Sequence, residues 1–236
     1  MLILSCDTTG PSVSVALWQD EALLSETTLN IGLIHSATFM PLVQKVLDQA
    51  GQKASEITHF AVTTGPGSFT GIRIGISAVK AMAYANNAPV VGATTLDVLA
   101  WPYRLCERIL VCPLMDARNG RAYSAAWLRD EPLIPEGNRL VSSFFDEAAK
   151  LVLERRDMET ILYLGMQPEN NDIKAISDLI AVRPAPVFSW LPRASVLAEM
   201  AREAIRLGKT VKPAEIKATY LTLPAAERLR QNGTRS

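Results

Sequence analysis

Ala16-Leu17-Trp18-Gln19-Asp20-Glu21-Ala22-Leu23-Leu24 and Ala126-Trp127-Leu128-Arg129-Asp130-Glu131-Pro132-Leu133-Ile134 align without a gap, with Ala, Asp, Glu and Leu recurring at matching places. Each copy sits where a hairpin is predicted. Before the first copy, the apolar run Leu2-Ile3-Leu4-Ser5-Cys6 has strand length, and Asp7-Thr8-Thr9-Gly10-Pro11 supplies turn chemistry. Val13, Val15 and Leu17 then alternate with Ser12, Ser14 and Ala16, which is the period of a strand. Leu23 to Leu29 makes a third. Around the second copy, Arg108 to Leu114 and Ala122 to Leu128 flank Asp116-Ala117-Arg118-Asn119-Gly120, and Asn-Gly between two such runs is a strong hairpin signal. We read the pair as a duplication, because each hairpin opens a similar order of elements.

In the first half, a helical pattern covers Ser36 to Ala50, with Phe39, Leu42, Val43 and Val46 on one face and Gly51 as its stop. Pro41 inside it predicts a late start or a kink. His59 to Thr63 is a short buried strand. Gly65-Pro66-Gly67 turns, Ser68 or Thr70 caps a long helix to about Ala85, Pro89 to Gly92 is a strand, and a helix starts near Thr95. The second half has a helix from Ser143 to about Glu154 and a strand from Thr160 to Leu164. A final amphipathic helix, Ser195 to Leu207, has Leu197, Met200, Ala201, Ala204 and Ile205 on one face and Gly208 as its close. Strands, then a helix, then strand–helix alternation, twice over, is the order of an α/β fold of two tandem ribonuclease-H-like lobes, the architecture of actin and the sugar kinases. The predicted lobes are 1–104 and 105–208, with the segment 209–236 expected to pack back on the first.

The chain has 236 residues, 48% hydrophobic and 20% charged, with 24 basic residues against 24 acidic ones. A protein that held RNA alone would show a basic footprint, and the balance here excludes one, although the stretch from Arg193 onward is locally basic. Cys6, Cys106 and Cys112 are too few and too odd a set for a disulfide framework, which suits a reducing compartment. The N-terminus is apolar without a basic region and reads as a strand, not a signal peptide. No apolar run approaches the roughly 20 residues that span a bilayer. A cytoplasmic location is expected, and Asn232-Gly233-Thr234 is then a chance glycosylation sequon.

The chemistry centres on Gly65-Pro66-Gly67-Ser68-Phe69-Thr70-Gly71-Ile72-Arg73-Ile74-Gly75. A glycine turn from strand into helix can cradle phosphate on backbone N–H groups. No Lys follows as in a Walker loop, and Thr70 stands where a dinucleotide fingerprint has its third glycine. The alternative is a tight turn with close helix packing. In the helix itself, Gly71, Gly75, Ala78 and Met82 share one side, Ile72, Ile76, Val79 and Ala83 another, and Ile74, Ala81 and Ala85 a third. Only Arg73, Ser77 and Lys80 make a polar stripe. Such a helix is covered on more than one side, by the sheet and by either the second lobe or a protein partner. The two histidines, His35 and His59, have no partner at ligand spacing, and no Ser sits in a nucleophile elbow. Asp7 and Asp116 each end the first strand of a lobe, where an acid can touch a metal-bound nucleotide or simply accept turn N–H bonds.

The opening Asp7-Thr8, the run from Gly65 to Gly75, Asp116-Ala117-Arg118 with Gly120 and Tyr123, and His35 six residues before Pro41 together resemble the TsaB (YeaZ) family. The resemblance covers nearly the whole chain, and it implies two actin-like lobes in the cytoplasm. It further implies a heterodimer with the catalytic paralogue TsaD, acting with the ATPase TsaE to modify the adenosine beside the anticodon of transfer RNA. The paralogue carries a His-x-x-x-His metal pair, and by the spacing from Pro89 those places fall near Thr95 and Leu99 here. The chain is therefore expected to have no catalytic, cofactor-binding or metal-binding residues of its own, with ATP and a metal held in the paralogue. Transfer RNA is expected only through the complex, no membrane is expected, and a homodimer is expected when the paralogue is absent. His35, Phe39, Gly71, Gly75, Ala78 and Met82 are the expected partner interface. Arg121 departs from the family, which often has an acidic residue there. Two other readings compete with the scaffold. A glycoprotease-like metallopeptidase needs the missing His pair, and an actin-fold nucleotide phosphotransferase needs a glycine-rich adenosine loop, where Thr160 to Arg183 holds only Gly165.

Overall fold

The two hairpins become the antiparallel halves of two mixed sheets in a computed structural model that describes residues 1–30, 32, 35–155 and 157–221. The first half runs β1 (Leu2–Asp7), β2 (Val13–Gln19), β3 (Ala22–Leu29), α1 (His35–Ala50), β4 (His59–Thr63), α2 (Phe69–Ala85), β5 (Val90–Ala93) and α3 (Thr95–Ala100). The second runs β6 (Ile109–Asp116), β7 (Arg121–Leu128), β8 (Glu131–Leu140), α4 (Val141–Glu154), β9 (Thr160–Leu164), α5 (Asn170–Ser177), β10 (Ala181–Pro184) and α6 (Ala194–Arg206). The sheet orders are β3-β2-β1-β4-β5 and β8-β7-β6-β9-β10, the same pattern twice. In each, the first strand is central, antiparallel to the second and parallel to the fourth. That is the ribonuclease-H-like topology, in tandem. The gap-free alignment of the hairpins is nevertheless one residue out of step. The turns are Asp20-Glu21 and Arg129-Asp130, closed by the pairs Gln19–Ala22 and Leu128–Glu131. Each hairpin also carries a register shift, between Leu17 and Trp18 in the first and between Ser124 and Trp127 in the second.

Strand periodicity sends successive side chains to opposite faces, so each sheet needs two covers. On the first sheet, Leu4, Cys6, Val15 and Val62 meet Phe39 and Val43 of α1 and Ile72 and Val79 of α2. On the second, Leu110, Cys112 and Leu114 meet Phe144, Phe145 and Ala148 of α4 and Ile176 of α5. The opposite faces are closed by exchange. The apolar face of α6, Leu197, Met200 and Ala201, lies on Ile3, Ala61 and Val91 of the first sheet. Leu96 and Leu99 of α3 lie with Val111, Ala125 and Trp127 of the second. The predicted boundaries assign α6 to the second lobe, and the helix packs on the first lobe's sheet, so that each lobe's last helix covers the bare face of the other lobe's sheet. Beyond α6 the chain returns to the first lobe, where Val211 forms an antiparallel bridge with Val90 and Ile216 enters the first core.

Pro41 neither delays nor divides α1, which runs unbroken from His35. The carbonyl deprived of its partner is that of Ala37, and both residues are exposed, where solvent can reach it. Among the described residues no helix is long and apolar enough to cross a membrane.

The exchange of closing helices predicts where damage will spread. Leu197 is fully buried against the first sheet. Leu197→Ala should lower the unfolding free energy in urea by about 2–5 kcal/mol. Amide exchange should then quicken in β1 and β4 more than in β6 and β9; the opposite pattern would place α6 with the second lobe.

Candidate functional site

The glycine-rich run and the end of β1 form one structure. Ser68 caps α2 by accepting from the Gly71 N–H, and its own N–H donates to the Thr9 carbonyl at 2.7 Å. Thr8 Oγ1 donates to the Gly71 carbonyl at 2.7 Å. The Ile72 N–H returns to the Ser68 carbonyl. Gly67, with φ of 149°, Gly71 and Gly75 all face this turn. A methyl group on Gly67 or Gly71 would collide with the Thr9 or Thr8 carbonyl oxygen, and one on Gly75 with Thr8 Oγ1. The glycines therefore make room for the chain's own Thr8–Thr9 turn, and one of the loop's N–H groups, that of Ser68, bonds to it. His35 completes the cage, with Nε2 3.0 Å from the Gly10 carbonyl.

Asp7 lies beneath. Its Oδ1 accepts from Thr63 Oγ1 at 2.6 Å, Thr9 Oγ1 at 2.7 Å and the Thr9 N–H, while Oδ2 is buried without a partner. Burial pushes the carboxyl up to about 6 against the pull of those donors and of the nearby His35. Thr95 Oγ1 links the site onward to the Pro66 carbonyl at 2.8 Å and to Thr9 Oγ1 at 3.0 Å. Thr95 is thus absorbed in this network, and Leu99 is buried in the apolar seam between the lobes. Neither position offers a metal ligand of the histidine kind, and the described residues contain no group of three or more His, Cys, Asp or Glu side chains placed to hold an ion. The buried Cys6 and Cys112 thiols are pushed far up by burial, away from the thiolate that reacts.

The equivalent turn of the second lobe is built differently. Arg118, Asn119 and Gly120 all take left-handed φ values, of 67°, 55° and 69°. Asp116 is exposed and accepts from the Arg118 N–H at 2.7 Å, so it shapes the turn. Arg121 binds Asn138 through Nε to Oδ1 and through Nη2 to the carbonyl, both at 2.7 Å, which ties β7 to β8. The departure from the family pattern at this position therefore has a structural use. Between the lobes, Thr94 caps α3 and its hydroxyl also binds Glu136 of β8. Asp97 pairs with Arg104, whose guanidinium lies over Trp101. Burial raises the carboxyls of both Asp97 and Glu136. Sequence reasoning did not find Thr63, Thr94, Arg104 or Glu136, since each acts through a partner distant in the chain.

Of the residues expected at the partner interface, His35, Phe39, Gly71 and Gly75 are buried within the chain, and Ala78 and Met82 are half-buried against the first core. The small side of α2 is its inner side. Its outer side carries Phe69, Arg73, Ser77, Ala81 and Tyr84, one stripe at helical spacing, with Tyr84 80% exposed.

A ribonuclease-H-like topology present twice, with a glycine-cornered turn between the fourth strand and α2 of the first lobe, is the actin-like fold. The sequence model of TsaD, tRNA N6-adenosine threonylcarbamoyltransferase, matches residues 32–174, more than half of the chain. The chain is 30% identical to the tRNA threonylcarbamoyladenosine biosynthesis protein TsaB of Escherichia coli (strain K12), over 94% of this chain and 94% of that one. It is 27% identical to the protein of the same name from Bacillus subtilis (strain 168), over 70% of this chain and 71% of that one. A crystal structure of a Pseudomonas aeruginosa protein with similarity to peptidase YeaZ shares the fold, with a TM-score of 0.74 at 24% identity, covering 94% of this chain and 99% of that one. The chain belongs to the TsaB family.

The glycine contact and the buried carboxyl each set a measurable outcome. Gly75→Leu forces a side chain into Thr8 and Val62. It should destabilise the fold by about 1–3 kcal/mol or more, read as a lower urea midpoint. Asp7 has a folded-state value above its unfolded one, so its contribution favours folding at acid pH and is lost as pH rises through about 6. The stability difference between wild type and Asp7→Asn should move by about 2 kcal/mol in favour of the variant between pH 4.5 and 7.5. A constant difference would show that Asp7 does not titrate in that window.

Proposed function

We propose that this chain is the non-catalytic scaffold and activator subunit of a tRNA threonylcarbamoyladenosine-forming complex, pairing with a catalytic paralogue of the TsaD type. The names of its relatives place them in that pathway. The match to the TsaD model supports a partner built on the same plan. The observation that carries the non-catalytic reading is the closed loop. The turn that could face a nucleotide is occupied by Thr8 and Thr9 of the chain itself, and Thr95 and Leu99 stand near the positions of the paralogue's metal histidines. On this reading ATP and the metal belong to the paralogue, a TsaE-type ATPase assists, transfer RNA engages the assembled complex, and the work is done in the cytoplasm. The chain pairs with itself when the paralogue is lacking.

The partner face we propose is the outer stripe of α2 together with the solvent side of α1, where Met40 is exposed. Ser77 and Ala81 allow a second helix to approach, and Phe69 and Tyr84 bracket them. A paralogue with the same α1–α2 pair would present a like surface, so that four helices meet. Co-purification with the same cell's paralogue, followed by modification of a transfer-RNA substrate, tests the function. We expect a stable pair, with modification requiring both chains. Ala81→Arg should weaken the pair about tenfold or more without lowering the melting temperature. Full modification by the paralogue alone would overturn the reading.

A further inference from the structure

The segment after α6 is fastened across the first lobe at four points. Val211 exchanges backbone hydrogen bonds with Val90 at the edge of the sheet. Ile216 is buried above Gly92, where a methyl group would strike its Cδ1. The Thr219 N–H donates to the Thr64 carbonyl at 2.7 Å, and the two threonine hydroxyls lie 3.0 Å apart. Leu221 packs into the apolar seam between the lobes. Gly65 is shaped to this strap as well, since a methyl group there would meet the Thr219 carbonyl oxygen.

At Tyr220 the strap reaches the outer stripe of α2. The Tyr220 and Phe69 rings lie with centroids 5.3 Å apart, and the Arg73 guanidinium sits 3.8 Å over the Phe69 ring. Arg73 Nε is 3.4 Å from the Tyr220 hydroxyl. Phe69 and Tyr220 remain 37% and 41% exposed. An arginine stacked on one accessible aromatic ring and hydrogen-bonded to the hydroxyl of a neighbouring one is a group of the residue types that dominate interface energetics.

We infer that the strap is part of the partner-binding surface: residues 211–221 supply Tyr220 and hold the Phe69–Arg73 pair in the geometry that the catalytic paralogue engages. This rests on the reading of the outer α2 stripe as the partner face. The strap is then a positioning element for that face, and Ile216, buried in the first core, acts through Tyr220.

The test uses the full chain and its paralogue, with the dissociation constant read by titration calorimetry. Tyr220→Ala should weaken binding about tenfold, and adding Arg73→Ala should cost less than the product of the two single effects. Ile216→Ala should weaken binding about threefold in step with faster amide exchange in residues 217–221, whereas a merely structural Ile216 would lower the melting temperature and leave affinity unchanged. Paralogue binding by Tyr220→Ala within about twofold of wild type overturns the inference, even if self-association of this chain is weakened. Failure of the unaltered chain to bind the paralogue overturns the reading beneath it and the inference together.

Discussion

The seating of α2 on the Thr8–Thr9 turn is the contact on which the rest of the molecule depends. β1 and β4 are parallel neighbours, so the helix that follows β4 starts beside the end of β1. Three glycines let its start approach the turn closely, Gly67 and Gly71 against backbone carbonyls and Gly75 against the Thr8 hydroxyl. That closeness fixes the rotation of α2 about its axis. Ile72, Ile76, Val79 and Ala83 then fall into the core, and Arg73, Ser77, Ala81 and Tyr84 must face outward. The same approach buries Asp7 and leaves its Oδ2 without a donor. A carboxyl raised toward neutrality is the electrostatic consequence of a steric requirement.

The duplication kept a topology and let the details diverge. Both lobes place a glycine after the fourth strand, yet Gly65 accommodates the Thr219 carbonyl and Gly165 accommodates the Leu114 carbonyl. Asp7 is buried at the end of β1, while Asp116, at the end of β6, is exposed in a turn. The helix after the fourth strand spans 17 residues in the first lobe and 8 in the second, so only the first has the length to present an extended outer face. Exchange of α3 and α6 binds the halves through apolar surface, and the Thr94–Glu136 contact adds a polar tie.

What was legible in the sequence follows the range of each interaction. β4, β9 and the run of α1, α4 and α6 were readable within a residue or two, because their apolar periods are local signals. α5 and β10 carry weak periodicity in Asn170–Ser177 and Ala181–Pro184, and the reading passed over them. The exchange of closing helices was not readable, since Leu197 states that α6 is amphipathic but not which sheet it covers. The repeat of Asp-Glu in the two hairpins suggested the right architecture through an alignment whose turns differ by one residue. At the candidate site, the whole segment from Gly65 to Gly75 was legible as special. Its direction was not: small residues mark close approach, and a sequence does not say to what. The strap was foreseen only as a segment lying back on the first lobe, and its Tyr220–Arg73 contact spans 147 residues.

That ambiguity of glycine is general, and the geometry at each position resolves it. A glycine that admits a ligand faces open space, one that admits a partner faces the surface, and one that admits its own chain has a neighbour where its Cβ would stand. Gly67, Gly71 and Gly75 are of the third kind. The fold itself needs the close approach that these glycines permit, and packing alone is reason enough for a small residue at each of the three places. The motif therefore marks architecture, and by seating α2 on the Thr8–Thr9 turn the glycines turn the stripe from Phe69 to Tyr84 toward solvent.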